Sequence, residues 1–363
     1  MKNNRNLDAL MNRKTLFMAT ALAIIAQSVS AQTPAATDNK TKVGADPDKL
    51  ETVTVTAQRR EQELQKVPLP VSTFTATELA TRSIDSALKM ATFVPNMFAS
   101  NNTGLNTANQ YFLRGLGNTE TIATFDPPVG TYINDVYVSR QNANNFSFFD
   151  VERIEVLRGP QGTLFGRNTT GGAINVILKK PGSKLGGYFE IGGGNFSQAT
   201  SRGSIDVPFN ENFRTKFSYY YSKDDGYVDN PVTGERLNDS DNKGVRAAFA
   251  WRISDLVNWD LAIDDSKDTG NSLYNALIDG KRVSRTGLRT NSRGFFAASG
   301  APLLTGEKNN YGLGNEVNST SVTSNVNLSV GGVSIDFITG WRDLTQKYAI
   351  DFFRLLTALL QVS

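Results

Sequence analysis

Between Phe213 and Arg342, apolar and polar residues alternate with a period of two, and this pattern constrains the fold more than any other feature. Phe213, Phe217, Tyr219 and Tyr221 share one face of their segment, while Arg214, Lys216 and Ser218 take the other. Val245, Ala247, Phe249, Trp251 and Ile253 alternate with Arg246, Ala248, Ala250 and Arg252. Trp259, Leu261 and Ile263 alternate with Asn258, Asp260 and Asp264, and Val326, Leu328 and Val330 with Asn325, Asn327 and Ser329. Val333, Ile335, Phe337 and Trp341 alternate with Ser334, Asp336 and Arg342. Such a period marks β-strands with unlike faces. A soluble sandwich alternates too, so the connections must discriminate. Short turns fall at Pro208–Asn212, Ser254–Leu256 and Gly331–Gly332, and long polar loops at Asp225–Asn242 and around Ser266–Val317, with one short exception near Ser197. That asymmetry fits a transmembrane barrel, one of the two structures that satisfy every backbone polar group in lipid. Tyr219, Trp251 and Trp341 are read as interfacial aromatics.

The strand count is awkward for closure. About seven strands follow Gly186, whereas bacterial barrels use even numbers and plugged transporters about 22. Phe352–Ser363 (FFRLLTALLQVS) gives up alternation for a clustered apolar run. The expectation is a partial barrel over residues 182–351, an atypical tail over 352–363, and a chain truncated by a frameshift or premature stop.

The N-terminal residues 1–31 read as a cleaved export signal. Asn12-Arg13-Lys14 supplies a basic region, Leu16–Ala26 an apolar one, and Val29-Ser30-Ala31 small residues before a cut ahead of Gln32. Met1 or Met11 can serve as the start. The apolar run is shorter than the ~20 residues a membrane helix needs. Residues 32–50 are polar and Pro/Ala-rich, a flexible leader. The chain has no cysteine and no histidine, which excludes the common hydrolase triad and thiol redox chemistry. No cofactor or resident metal is expected. A net charge of +3 gives no bulk case for nucleic acid.

Residues 58–181 read as a small mixed α/β domain. Short helices are expected from Thr77, with Thr77 or Ser83 as caps, and strands at Tyr111–Leu113, Gly130–Val138, Val151–Leu157 and Ala173–Leu178. The stretch VLRGPQGTLFGRNTTGGAINVI (Val156–Ile177) looks at first like a phosphate-binding loop. A Walker loop needs Lys and Ser/Thr after its last glycine, and here Gly171-Gly172 is followed by Ala173. Gly115-Leu116-Gly117 lacks the third glycine of a dinucleotide fingerprint. Neither cluster opens an evident helix. The glycines, Gly115, Gly117, Gly159, Gly162, Gly166, Gly171 and Gly172, are therefore read as turn residues. Arg158, beside Glu152 and Glu155, needs partners if this domain sits inside a barrel.

These motifs resemble the TonB-dependent outer-membrane receptors. The likeness is close from Glu51 to Pro181, through ETVTVTA, YFLRGLG, PPVGTYINDVYV and FFDVERIEVLRGPQGTLFGRNTTGGAINVILKKP, and weaker through the strands that follow. The resemblance implies a plug domain lodged in a 22-stranded barrel of the Gram-negative outer membrane. It implies a TonB box at residues 51–57, carried by Glu51, Thr52, Val53, Thr54, Val55 and Thr56. It also implies that Arg114 and Arg158 pair with acidic residues of the inner barrel wall, and that no covalent chemistry occurs. The implied partners are TonB, outer-membrane lipid and a scarce nutrient: a ferric siderophore first, with cobalamin or a saccharide open. Ligand contacts are sought in the loops Asn101–Asn109, Asn118–Pro127 and Ser139–Asn145. The alternative is a secreted or periplasmic plug-like module that binds ligand without transporting it.

Overall fold

A computed structural model describes residues 54–270, 314–352 and 356–362, except 57–58, 61, 103–104, 120, 122–124, 142–143, 145–148 and 230–235. The expected signal peptide, the leader and the box residues Glu51, Thr52 and Val53 lie outside the described residues.

The first part of the chain builds a mixed domain. Strands β1 (Thr54–Val55) and β2 (Gln62–Glu63) pair as a short antiparallel ribbon. β3 (Val71–Thr75) runs into helices α1 (Ala76–Thr81) and α2 (Ala87–Ala91). The caps are Thr75 and Ser86, not Thr77 or Ser83. Glu78 lies three residues after Thr75, so the two side chains cap each other's backbone and fix the start of the helix. β4 (Met97–Asn102), β5 (Leu105–Leu113) and β6 (Leu116–Gly117) form a three-stranded sheet. β7 (Val129–Ile133) and β8 (Val136–Val138) follow, then β9 (Val151–Arg158), the four-residue helix α3 (Gly162–Phe165) and β10 (Gly172–Leu178). The segment read as one strand, Gly130–Val138, is thus a hairpin. Asn134 and Asp135 both adopt positive φ (46° and 67°), the conformation a two-residue hairpin turn requires.

The central sheet has the order β3-β9-β10-β7-β8, with β10 parallel to β7 and the other pairs antiparallel. Both faces of β9 and β10 are buried, so their sequences are nearly continuous apolar runs. Ile154, Val156, Ile174 and Val176 pack towards Phe74, Leu79 and Met90. Leu157 and Ala173 point the other way, towards Val55, Tyr132 and Phe165.

The second part is an antiparallel meander. Its strands are β11 (Gly186–Gly194), β12 (Gln198–Pro208), β13 (Phe213–Asp224), β16 (Ser240–Arg252), β17 (Val257–Gly270), β18 (Gly314–Val330), β19 (Val333–Phe352) and β20 (Leu356–Val362), with β14 (Val228–Asp229) and β15 (Arg236–Leu237) as a separate ribbon. The sheet therefore has eight strands, and the eighth is drawn from the segment read as an atypical tail. Its backbone pairs with β19 from Gln346↔Val362 to Phe352↔Leu356, a template that needs no side-chain alternation. Polar stretches read as loops also join the ladder. β17 reaches Gly270 and β18 begins at Gly314, because backbone pairing does not require an apolar face.

The two faces of this wall invert the soluble rule. Phe217, Val245, Ile263, Ile335, Phe337 and Trp341 are exposed, while Lys216, Ser218, Arg246, Ser321 and Gln346 are buried. An apolar outside and a polar inside is the arrangement of a membrane barrel. Near the short-turn end, Phe209, Phe213, Trp251 and Trp259 lie ring beside ring at centroid separations of 5.7–6.2 Å, as in an interfacial girdle. Tyr219 and Trp341 lie further along their strands and are not in this cluster. Phe217→Arg is expected to destabilise the wall by about 2–4 kcal/mol in a bilayer. Reversible unfolding from lipid vesicles measures it.

Candidate functional site

Residues 54–56, the described part of the segment expected to be the box, belong to the folded domain. Val55 is fully buried against the sheet face formed by Leu157, Ala173, Tyr132 and Phe165. One residue on, Thr56 meets a carboxylate. Its N–H donates to Glu155 Oε1 at 2.8 Å, and its hydroxyl lies 3.1 and 3.3 Å from the two oxygens. Glu155 is itself fully buried in β9 and also accepts from Arg153 Nε at 2.9 Å. Arg153 turns its other end to Glu152. Charge-assisted bonds of this kind are roughly twice as strong as neutral ones.

A second attachment follows. Arg59 pairs with Asp135 at 2.5 Å and stacks over the Phe165 ring, 4.4 Å from its centroid. The neighbouring Tyr132 donates to the Phe165 carbonyl. Burial, reinforced by Tyr137, pushes the Tyr132 phenol up to about 12 against the opposing pull of Arg59. The sheet face that carries Glu155 also holds an unusual group. Asn175 in β10 is directly opposite Glu155 across the antiparallel ladder, is fully buried, and neither its amide nitrogen nor its oxygen has a hydrogen-bond partner among the described residues. An unpaired buried polar group costs about 1–3 kcal/mol.

The mixed domain is fastened to the wall elsewhere. Asp150, just before β9, reaches β13, where it accepts from Ser218 Oγ at 2.6 Å and pairs with Lys216 Nζ at 3.2 Å. Lys216 also meets Asp206 of β12 at 3.3 Å. Lys216 is 5% exposed and Asp150 4%, so this is a buried ion cluster. Phe149 stacks on Tyr220 at 4.5 Å beside it. A second contact joins Thr107 of β5 to Asn315 of β18 and Gln346 of β19. Between the two contacts runs a cleft of mixed lining, with Val151, Val176 and Leu178 on the plug side and Asp264, Asp268 and Arg342 on the wall side.

The arginines singled out in the sequence sit differently. Arg114 is exposed and has positive φ (51°), with its guanidinium over Gly159. Arg158 is half-buried and its backbone N–H donates to the Pro70 carbonyl. Among the described residues neither forms an ion pair with the wall. Glu152 and Glu155 are engaged by Arg153 rather than by Arg158. Two other charges reach the wall: the buried carboxylate of Asp150, meeting Lys216, and the more exposed Lys180, which pairs with Asp260 of β17 at 2.7 Å. The alternation had already placed Lys216 on the polar face; its partner in the loop before β9 carries no periodic signal.

Among the turn glycines, Gly115, Gly159, Gly166 and Gly172 have positive φ. Gly172 is the most constrained, since a Cβ there would lie 2.3 Å from the Leu157 carbonyl oxygen. Gly117 and Gly171 instead allow close approach, to the Phe112 ring and to Leu116. Gly162 opens α3, so one of the glycines read as turns begins a short helix. The candidate ligand loops fall partly outside the described residues. Two of their asparagines are structural: the Asn109 N–H donates to Asn144 Oδ1 at 2.8 Å, and Asn144 Nδ2 donates to the Asn109 carbonyl at 3.0 Å.

Lys216→Met leaves Asp150 buried without its cation and is expected to cost about 3–5 kcal/mol. Adding Asp150→Leu recovers most of that loss. Urea unfolding of the single and double variants tests the pair, and equal stability of Lys216→Met and the native chain would discard it.

Comparison with known proteins is consistent along the chain. Residues 63–173 match the family model of the TonB-dependent Receptor Plug Domain. The chain is 28% identical over 233 residues to the pesticin receptor of Yersinia pestis, covering 62% of this chain and 33% of that protein. It is 26% identical over 182 residues to the vitamin B12 transporter BtuB of Vibrio vulnificus, covering 50% and 29% respectively. The chain thus spans about a third of the length of these relatives. Its fold is similar to that of the ferric yersiniabactin uptake receptor FyuA from Yersinia pestis, with a TM-score of 0.63 at 18% identity over 78% of this chain and 42% of that one. The ferripyoverdine receptor of Pseudomonas aeruginosa gives 0.62 at 13% identity over 85% and 39%.

Proposed function

We propose that this chain, whose residues 63–173 match the plug domain of TonB-dependent receptors, is a receptor of that family and serves energised uptake of a scarce nutrient, a ferric siderophore, across the outer membrane of a Gram-negative bacterium. The observation that carries this reading is the separation of two fastenings: the box strand is held to the plug through Glu155, and the plug to the wall through Asp150. A partner that pulls on the box meets the first fastening before the second.

The partner in this reading is TonB. An extended segment adds readily to a sheet edge, where main-chain hydrogen bonds supply affinity. Ligand held by the outer loops shifts the plug, the box becomes available, and pulling on it opens a path beside the wall. The residues of this chain bind, anchor and yield, and none is asked to make or break a covalent bond. The siderophore class is favoured by the likeness to ferric yersiniabactin and ferripyoverdine receptors. Cobalamin is the runner-up, through the likeness to a vitamin B12 transporter.

Val53→Pro, in a receptor carrying a complete barrel, is expected to abolish uptake of labelled ferric siderophore while leaving surface binding unchanged, because proline removes a strand donor. Uptake equal to the unmodified receptor would overturn the assignment of the box. Recovery of the present chain from the periplasm, rather than from outer membranes, would favour the non-transporting binding module instead.

A further inference from the structure

We propose that Glu155 and Asn175 form a two-position latch for the box strand, with Thr56 as the occupant of the closed position. The inference rests on residues 51–57 being the box. In the closed arrangement the Glu155 carboxylate is shared between the Thr56 N–H, the Thr56 hydroxyl and Arg153 Nε. Asn175 lies directly across the ladder on the same sheet face, buried and with both amide atoms unpartnered. Residues directly opposite in an antiparallel pair bring their Cβ atoms within ~4.5–5.5 Å. The Asn175 amide is thus one side-chain rotation from the oxygen that Thr56 occupies.

When β1 lifts, Val55 leaves its pocket and Glu155 loses two donors. A carboxylate left with Arg153 as its one remaining described donor would oppose that motion. Asn175 supplies a replacement donor from within the sheet, so the opened plug keeps its carboxylate satisfied. The orphaned amide raises the energy of the closed state and the new bond lowers that of the open one, and both effects favour release. Glu155 and Asn175 act on the box through its position and are positioning residues.

The native chain contains no cysteine, so a single thiol reports the latch. Val55→Cys places that thiol in a site that is fully buried when the strap is closed. Its rate of reaction with a maleimide, on the purified full chain without TonB, measures opening. E155Q is expected to raise that rate about tenfold, the equivalent of one charge-assisted bond. Thr56→Ala, which spares the Thr56 N–H, should raise it about threefold. N175V is expected to lower the rate about tenfold, since the open state loses its donor while the closed state loses an unpaired amide. An asparagine that stabilised the closed strand would give the opposite sign. An unchanged rate in E155Q and Thr56→Ala, or a faster rate in N175V, overturns the latch. A periplasmic TonB fragment is then added to the opened E155Q chain. Failure to protect the thiol would count against the TonB reading while leaving the latch standing.

Discussion

The polar inner face of the wall dictates much of what surrounds it. A strand that turns Phe217 to lipid must turn Lys216 and Ser218 inward, because successive side chains alternate. An ammonium group enclosed there is costly unless paired. Asp150 and Asp206 supply the pairing, one from the plug and one from the adjacent wall strand. The wall and the plug are therefore complementary rather than independent. Each buries polar groups that the other must satisfy, and the Thr107–Asn315–Gln346 contact repeats the arrangement between uncharged groups.

That division of labour gives the plug two mechanically distinct ends. The strand expected to carry the box is short; Val55, the bonds of Thr56 to Glu155 and a longer one from Arg153 hold its described residues to the central sheet, with β2 as its strand partner. β9 and β10 are paired along most of their length and buried on both faces. Elements with few apolar contacts open at lower free energy than those in a packed core. A pull applied at this strand is thus expected to detach β1 well before it disturbs β9, although Glu155 lies only five residues from Asp150 in sequence.

Much of the architecture was legible in the sequence because alternation and turn chemistry are local properties. Val245 to Ile253 reported its two faces directly, and Gly331-Gly332 marked a tight reversal, with φ of 59° and 83°. The failures are equally local in origin. Asn134-Asp135 hid a hairpin within an apolar run, and the cap at Thr75 was overlooked although Glu78 completes its capping box. Leu356–Val362 carries no alternation, so only its pairing with β19 identifies it as a strand. At the candidate site, Val55 and Thr56 were chosen on propensity and resemblance, but their anchor was not. Glu155 lies 99 residues from Thr56, and no spacing rule spans that distance. Arg158 stands out in the sequence as the cation of a Gly/Pro turn, while the plug charges that meet the wall are Asp150 and Lys180.

The separation of the two fastenings is tested most directly by force spectroscopy on the full chain in a bilayer, pulling from the box. Two rupture events are expected: an early one at low force as β1 leaves Glu155, and a later one as the sheet beside Asp150 and Lys216 gives way. Asp150→Asn should lower the second and leave the first in place. A single rupture that carries the whole plug away, unaffected by Asp150→Asn, would contradict the account.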